Sequence, residues 1–267
     1  MRLTTGLDAI HEMFATADAQ GRAAFLPYFT MGFPNYETSL EIIVAMSEAG
    51  VDGFEVGIPF SDPLADGPTI QMSSQIALEQ GMNVHKALEA VRTLRSRGVM
   101  QPMFMFSYLN PIMAYGLEAF VIAAKEAGAD GFIIPDLPPE EAGMLAPYCQ
   151  QHNMAMVFFL APTSNEKRIA VASEQASGFI YVLSVTGITG ARTELPQNLT
   201  DFINRVRRQT DKRLVLGFGI STPEQAYSMN GLVDGFIVGS ALVKAAHANG
   251  VEGVRQLVSE LRNALND

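Results

Sequence analysis

Short apolar runs alternate with amphipathic stretches along the whole chain. The runs are AFLPYFT (24–30), GFEVGIP (53–59), MFMFSY (103–108), GFIIPD (131–136), AMVFFLAP (155–162), GFIYVLS (178–184), RLVLGFG (213–219) and GFIVGS (235–240). Each predicts a β-strand. Their apolarity is continuous rather than alternating, as expected of parallel strands covered on both faces. Between them lie helical patterns such as TSLEIIVAMSEAG (38–50), VHKALEAVRTLRSRG (84–98) and LEAFVIAAKEAG (117–128), each closing on glycine. Eight βα units in this length predict a closed (β/α)8 TIM barrel rather than an open doubly wound sheet. The leading segment GLDAIHEMFATADAQG (6–21) predicts an extra N-terminal helix over the barrel's N-terminal mouth. No low-complexity linker interrupts the pattern, so 1–267 is expected to form one barrel domain.

A weak repeat sharpens the pattern. VDGFEVG (51–57), ADGFIIP (129–135) and VDGFIVG (233–239) share a DGF core, with a looser echo in SGFIY (177–181). These are strands 2, 4, 8 and 6, and even strands of such a barrel fill the same side-chain layers. The alignment sets Glu55 level with Ile133 and Ile237. If those isoleucines face the interior, Glu55 does too, and burial will raise its pKa toward neutrality. Glu55 is then either a structural carboxylate paired with a base or a proton-transfer group. No basic residue occupies an aligned strand position, which favours the second.

Composition narrows the possibilities. The 267 residues are 48% hydrophobic, enough for a sizeable core. With 18 basic and 28 acidic residues the net charge is −10, which argues against nucleic acid or an anionic membrane as partner. No run approaches the ~20 apolar residues of a membrane span, and the first residues lack a signal peptide's apolar core. A cytoplasmic protein is expected. The single cysteine, Cys149, has no partner for an internal disulfide.

Two constellations carry chemistry. The first is EVGIPFSDPLADGP (55–68), where Glu55 runs into a loop with Asp62, Pro63 and Asp66. Asp-Pro and Asp-Gly are turn chemistry, yet loops at strand C-termini are where a barrel builds its active site. Three carboxylates could hold Mg²⁺, but the four histidines are scattered without ligand spacing, so no metal is expected. The second is the glycine-rich set VTGITGA (185–191), GFGIST (217–222) and VGSAL (238–242) at the ends of strands 6, 7 and 8. Each glycine could be only a tight turn. Together, with Ser240 opening a helix, they suggest a phosphate clamp. The stretch GITGARTELPQN (187–198) has the make-up of a lid. The Met- and Phe-rich runs are expected to be core strands without further meaning.

EVGIPFSDPLADGPTIQ (55–71), followed in order by PDLPPEE (135–141), TGITGAR (186–192) and GFGIS (217–221), resembles the tryptophan synthase alpha subunit over essentially the whole chain. The resemblance implies a (β/α)8 barrel that cleaves indole-3-glycerol phosphate to indole and glyceraldehyde 3-phosphate. It implies no cofactor of its own, pyridoxal phosphate belonging to a beta subunit that receives indole inside an α2β2 complex. It makes Glu55 the acid/base group and Asp66 the partner of the indole N–H. Gly190, Gly219, Gly239 and Ser240 become phosphate binders and Thr189 the lid threonine. Tyr28, Phe106, Ile133, Tyr181, Phe218 and Ile237 become the indole pocket, and Asp62 and Pro63 the loop facing the beta subunit. A pocket role for Tyr181 conflicts with the SGF alignment by one residue. A stand-alone indole-releasing lyase and a non-catalytic activator of a beta subunit remain as alternatives. A Schiff-base aldolase is disfavoured because no strand carries a lysine.

Overall fold

In the computed structural model, which describes residues 4–184, 199–217 and 219–266, all eight apolar runs are strands. They are β1 Ala24–Thr30, β2 Phe54–Gly57, β3 Met103–Phe106, β4 Gly131–Ile133, β5 Ala155–Leu160, β6 Ile180–Leu183, β7 Leu214–Gly217 and β8 Gly235–Val238. They pair in parallel and in chain order, and β8 closes on β1. A circuit of the ladders returns eight residues from where it began, the shear of an eight-stranded α/β barrel. Helices cover the outside, so the strands are buried on both faces, which is why the runs are apolar throughout.

Local chemistry fixes the outer ring. Asn35, Asn83 and Asn165 each accept, through the side chain, the amide three residues on, starting the helices Tyr36–Glu48, Val84–Ser96 and Glu166–Gln175. The helices Tyr36–Glu48, Val84–Ser96 and Leu117–Ala127 are followed by reversals at Gly50, Gly98 and Gly128, all with positive φ, as the closing glycines suggested. The extra helix, Leu7–Ala19, lies over the N-terminal mouth. Its Phe14 meets Phe179 edge-on at 6.2 Å, and its Asp18 pairs with Arg213, just before β7. Just ahead of it, the Gly6 amide donates to Asp130 just before β4 (2.6 Å).

The DGF repeat has a structural cause. Asp52, Asp130 and Asp234 each accept the amide of the residue facing them at the start of the preceding strand: Phe25 (2.8 Å), Met103 (2.9 Å) and Leu214 (2.8 Å). Each also pairs with arginine: Arg22, Arg95, and both Arg207 and Arg213. The glycine that follows faces inward where space is short; a Cβ at Gly131 would lie 2.7 Å from that of Ala155. Ser177 takes the aspartate's place before β6, its hydroxyl accepting the Met156 amide at 2.9 Å.

Beyond Ser177 the repeat breaks. Ser177 pairs with Met156, but Ile180 pairs with Phe158. β6 therefore advances three residues while β5 advances two, a one-residue bulge. The SGF alignment must be corrected: Tyr181, not Ile180, stands level with Glu55. Advancing one residue per strand for the barrel's tilt places Glu55, Ile133, Tyr181 and Ile237 in one interior layer, one from each even strand.

The expected strands also overshoot at their C-terminal ends. β2 stops at Gly57, β3 at Phe106 and β4 at Ile133. Ile58, Tyr108 and Ile134 lie just past the strands and are still buried in the core.

Candidate active site

Glu55 projects from the middle of β2 into the barrel and is only 2% exposed. Its Oε1 has no hydrogen-bond partner among the described residues. Burial pushes its carboxyl well above the ordinary glutamate range, and the nearby charge of Asp66 pushes the same way. Its surroundings thus favour the uncharged, protonated form.

Asp66 arrives on the loop after β2, directly ahead of the helix Pro68–Glu79. The loop is more tightly held than its prolines alone suggested. The Asp66 amide donates to the Pro63 carbonyl (3.0 Å), and the Gln71 side chain donates to the Asp66 carbonyl (2.8 Å). From the end of β3 comes Tyr108, whose hydroxyl accepts the Ala65 amide (3.0 Å) and donates to Asp66 Oδ2 (3.1 Å). Burial raises the Asp66 carboxyl, the Tyr108 hydrogen bond lowers it, and the outcome is about 6. Two carboxyls thus meet contrasting surroundings, Glu55 with an unpartnered oxygen and Asp66 hydrogen-bonded to Tyr108.

Tyr108 was not singled out in the sequence. It is the last residue of MFMFSY, a run expected to be core; Tyr108 is buried as expected, and its hydroxyl also reaches Asp66. Its signal was a phenol at a strand's C-terminal end, in a barrel whose other strands end in polar loops.

Aromatic rings wall the space around the carboxyls. Tyr28, which faces Glu55 across the β1–β2 ladder, meets the Phe106 ring edge-on at 5.4 Å. Its hydroxyl lies 3.3 Å from Thr30 Oγ1, which in turn lies 2.7 Å from Ser73 Oγ. Tyr181 packs on Phe159 at 4.5 Å. Both tyrosines fit because glycine sits beside them. A Cβ at Gly57 would fall 2.4 Å from the Tyr28 hydroxyl oxygen, and one at Gly217 would fall 1.9 Å from Tyr181 Cε1. Ile133 and Ile237 complete the buried wall. Of the six positions expected to form the pocket, the structure brings these five together; Phe218 lies outside the described residues.

The glycine-rich strand ends are partly described. Gly219 follows β7 with φ 96°, a conformation a side chain would strain. Gly239 immediately precedes the helix Ser240–Ala264, so amides at the end of β8 point out of a helix N-terminus. Its position is also close-packed, since a Cβ there would lie 3.2 Å from Tyr28 Cδ1. Thr189, Gly190 and the rest of the expected lid at 187–198 lie outside the described residues. Asp62 is exposed, Pro63 half-buried and Leu64 89% exposed, at the outer tip of the loop that carries Asp66. Among the described residues no three His, Cys, Asp or Glu side chains are grouped to hold a metal ion, and no helix is long and apolar enough to cross a membrane.

Comparison with known proteins bears on the fold and the family. Residues 14–266 match the family model for the tryptophan synthase alpha chain. A tryptophan synthase alpha chain of Chloroflexus aggregans is 46% identical over 262 residues, spanning 97% of this chain and 98% of that one. A structure of Mycobacterium tuberculosis tryptophan synthase superposes with a TM-score of 0.91 at 34% identity, covering 99% of this chain and 100% of that one. The tryptophan synthase subunit alpha of Legionella pneumophila does so with a TM-score of 0.89 at 33% identity, covering 97% and 98%. A barrel of shear eight and this breadth of similarity lead to one assignment: the chain belongs to the tryptophan synthase alpha chain family.

Proposed function

We infer that this chain cleaves indole-3-glycerol phosphate to indole and glyceraldehyde 3-phosphate, the alpha reaction of tryptophan biosynthesis, with Glu55 as the proton-transfer group. The observation that carries the reading is a carboxyl buried in the barrel's central layer and left with an unpartnered oxygen, in surroundings that favour its protonated form. A structural carboxylate would be paired.

The steps balance on one side chain. Protonated Glu55 gives its proton to the indole ring carbon that bears the side chain, leaving positive charge on the ring nitrogen. The resulting carboxylate takes the proton of the adjacent side-chain hydroxyl. The carbon–oxygen bond becomes a carbonyl, the carbon–carbon bond breaks, and its electron pair restores the indole ring. Glu55 ends protonated, ready for another turnover. Asp66, ionised above about pH 6, stabilises the positive nitrogen. Tyr28, Phe106, Ile133, Tyr181, Phe218 and Ile237 hold the ring, while the amides of Gly190, Gly219, Gly239 and Ser240 take the phosphate. Thr189 belongs to the segment that closes over the bound substrate.

This chemistry calls for no cofactor in this chain. The expected partner is a beta subunit carrying pyridoxal phosphate in an α2β2 complex, met by the exposed loop at Asp62 and Pro63. The activity is read as cytoplasmic. The test is indole release from indole-3-glycerol phosphate by wild type and Glu55→Gln. Loss of 10²–10⁴-fold, roughly, is expected in a folded variant. Retention of half the wild-type rate would remove Glu55 from the mechanism.

A further inference from the structure

The mechanism asks two things of Asp66: that it be an anion at working pH, and that it face the ring nitrogen. Burial opposes the first. A loop of proline and small residues does not secure the second, since Leu64 and Ala65 at its tip are exposed. One side chain addresses both needs. The Tyr108 hydroxyl donates its proton to Asp66 Oδ2 and accepts the amide of Ala65, so one oxygen fixes the carboxylate and the backbone just before it.

Tyr108 is itself fixed. Its ring lies 5.4 Å from Phe60, at the start of the same loop, and 6.3 Å edge-on from Phe106 of β3. The next amide, Leu109, donates to Asp136 in the loop after β4 (2.8 Å). Loops after β2, β3 and β4 are thereby joined through Tyr108.

We propose that Tyr108 is a positioning residue for carbon–carbon bond cleavage, holding the Asp66 carboxylate ionised and aimed at the substrate's ring nitrogen. This rests on the role given to Asp66 above. Other ionisable groups face the same space: Glu55 from β2, Tyr28 from β1 and Tyr181 from β6, with Asp136 behind Tyr108. An experiment must therefore separate Asp66 from Glu55. Tyr108→Phe keeps the ring between Phe60 and Phe106 and removes only the bridging oxygen.

Indole release by the full chain is measured from pH 5 to 9 for wild type, Tyr108→Phe, Asp66→Asn and the double variant, with thermal melts to verify folding. In Tyr108→Phe, kcat at pH 5 should fall about tenfold, narrowing to about twofold at pH 7, with KM little changed. The acid limb of its profile should move up by about one pH unit, because a hydrogen bond to the anion is gone. Activity should recover toward wild type at the alkaline end. On the Asp66→Asn background, where the remaining carboxyl titration is that of Glu55, Tyr108→Phe should cost nothing further. An unshifted limb with wild-type kcat, a loss equal at every pH, or a full tenfold loss on the Asp66→Asn background would each overturn the proposal. Wild-type turnover by Asp66→Asn alone would instead mark the role assigned to Asp66 as the error.

Discussion

Replacing Asp66 by asparagine should stabilise the fold while abolishing its purpose, and the pH dependence of that stabilisation can be worked out. The carboxyl is pushed from the ordinary 3.8 up to about 6 by burial, against the opposing hydrogen bond of Tyr108. A folded-state pKa above the unfolded value means that stability is fully present below about pH 3.8 and is lost as pH rises through about 6. At about 1.4 kcal/mol for each tenfold change in proton affinity, the ionised group costs the fold about 3 kcal/mol on the alkaline side. At pH 4.5 the same linkage gives about 1 kcal/mol, so the variant's advantage should widen by about 2 kcal/mol between pH 4.5 and pH 8. Glu55 adds to the effect in the same direction, since removing the Asp66 charge eases its ionisation. The carboxamide oxygen of the variant can still accept from Tyr108, which keeps the packing comparable. Chemical denaturation at a series of pH values measures the difference, and indole release on the same samples should be crippled throughout. A stability difference that is flat or that narrows as pH rises would refute the reasoning, whatever its size at any one pH.

Two further outcomes test the structural side. Gly217→Ala should displace the Tyr181 ring, since the new Cβ would lie 1.9 Å from it; about 1–3 kcal/mol of stability and a raised KM are expected, and a wild-type melting temperature with unchanged KM would show that the ring has room to spare. Asp130→Asn should cost about 3–5 kcal/mol because it removes a fully buried carboxylate and leaves the nearly buried Arg95 without its counter-charge, whereas Asp234→Asn, whose arginine partners are about 40% exposed, should cost about 1 kcal/mol; both should keep wild-type kcat in their folded fraction, and equal costs in denaturation would contradict this ranking.

Much of the molecule is legible because its barrel repeats one pattern. The eight strands follow from continuous apolarity, and β1 occupies the span its run suggested. The overshoot after β2 and β4 has a simple cause. A residue just past a strand that still packs in the core is as apolar as one inside it, so Ile58 and Ile134 extend the runs without extending the strands. The DGF aspartates could be seen as a repeat but not explained from sequence. Their partners lie 27, 27 and 20 residues earlier and are backbone amides, which carry no residue identity.

The same reasoning explains why Glu55 was found and Tyr108 was not. Glu55 breaks a pattern: three aligned even strands show isoleucine at two positions and glutamate at the third, and a buried acid needs a reason. Tyr108 breaks none, since a tyrosine at the end of an apolar run satisfies every rule of a core strand. Its partner stands 42 residues away on a loop whose course depends on the closed barrel. The bulge before β6 hides Tyr181 in a comparable way. Ser177 continues the repeat as a hydrogen-bond acceptor, so the alignment is right at its first residue and wrong at Ile180, three residues later. An inserted residue in a strand changes which face every later side chain takes. Here it exchanges an isoleucine for a tyrosine in the layer that holds Glu55. Gly217 on the neighbouring strand gives that ring its space. The barrel thus departs from its own repeat at the two even-strand positions, 55 and 181, where the proposed chemistry needs something other than isoleucine.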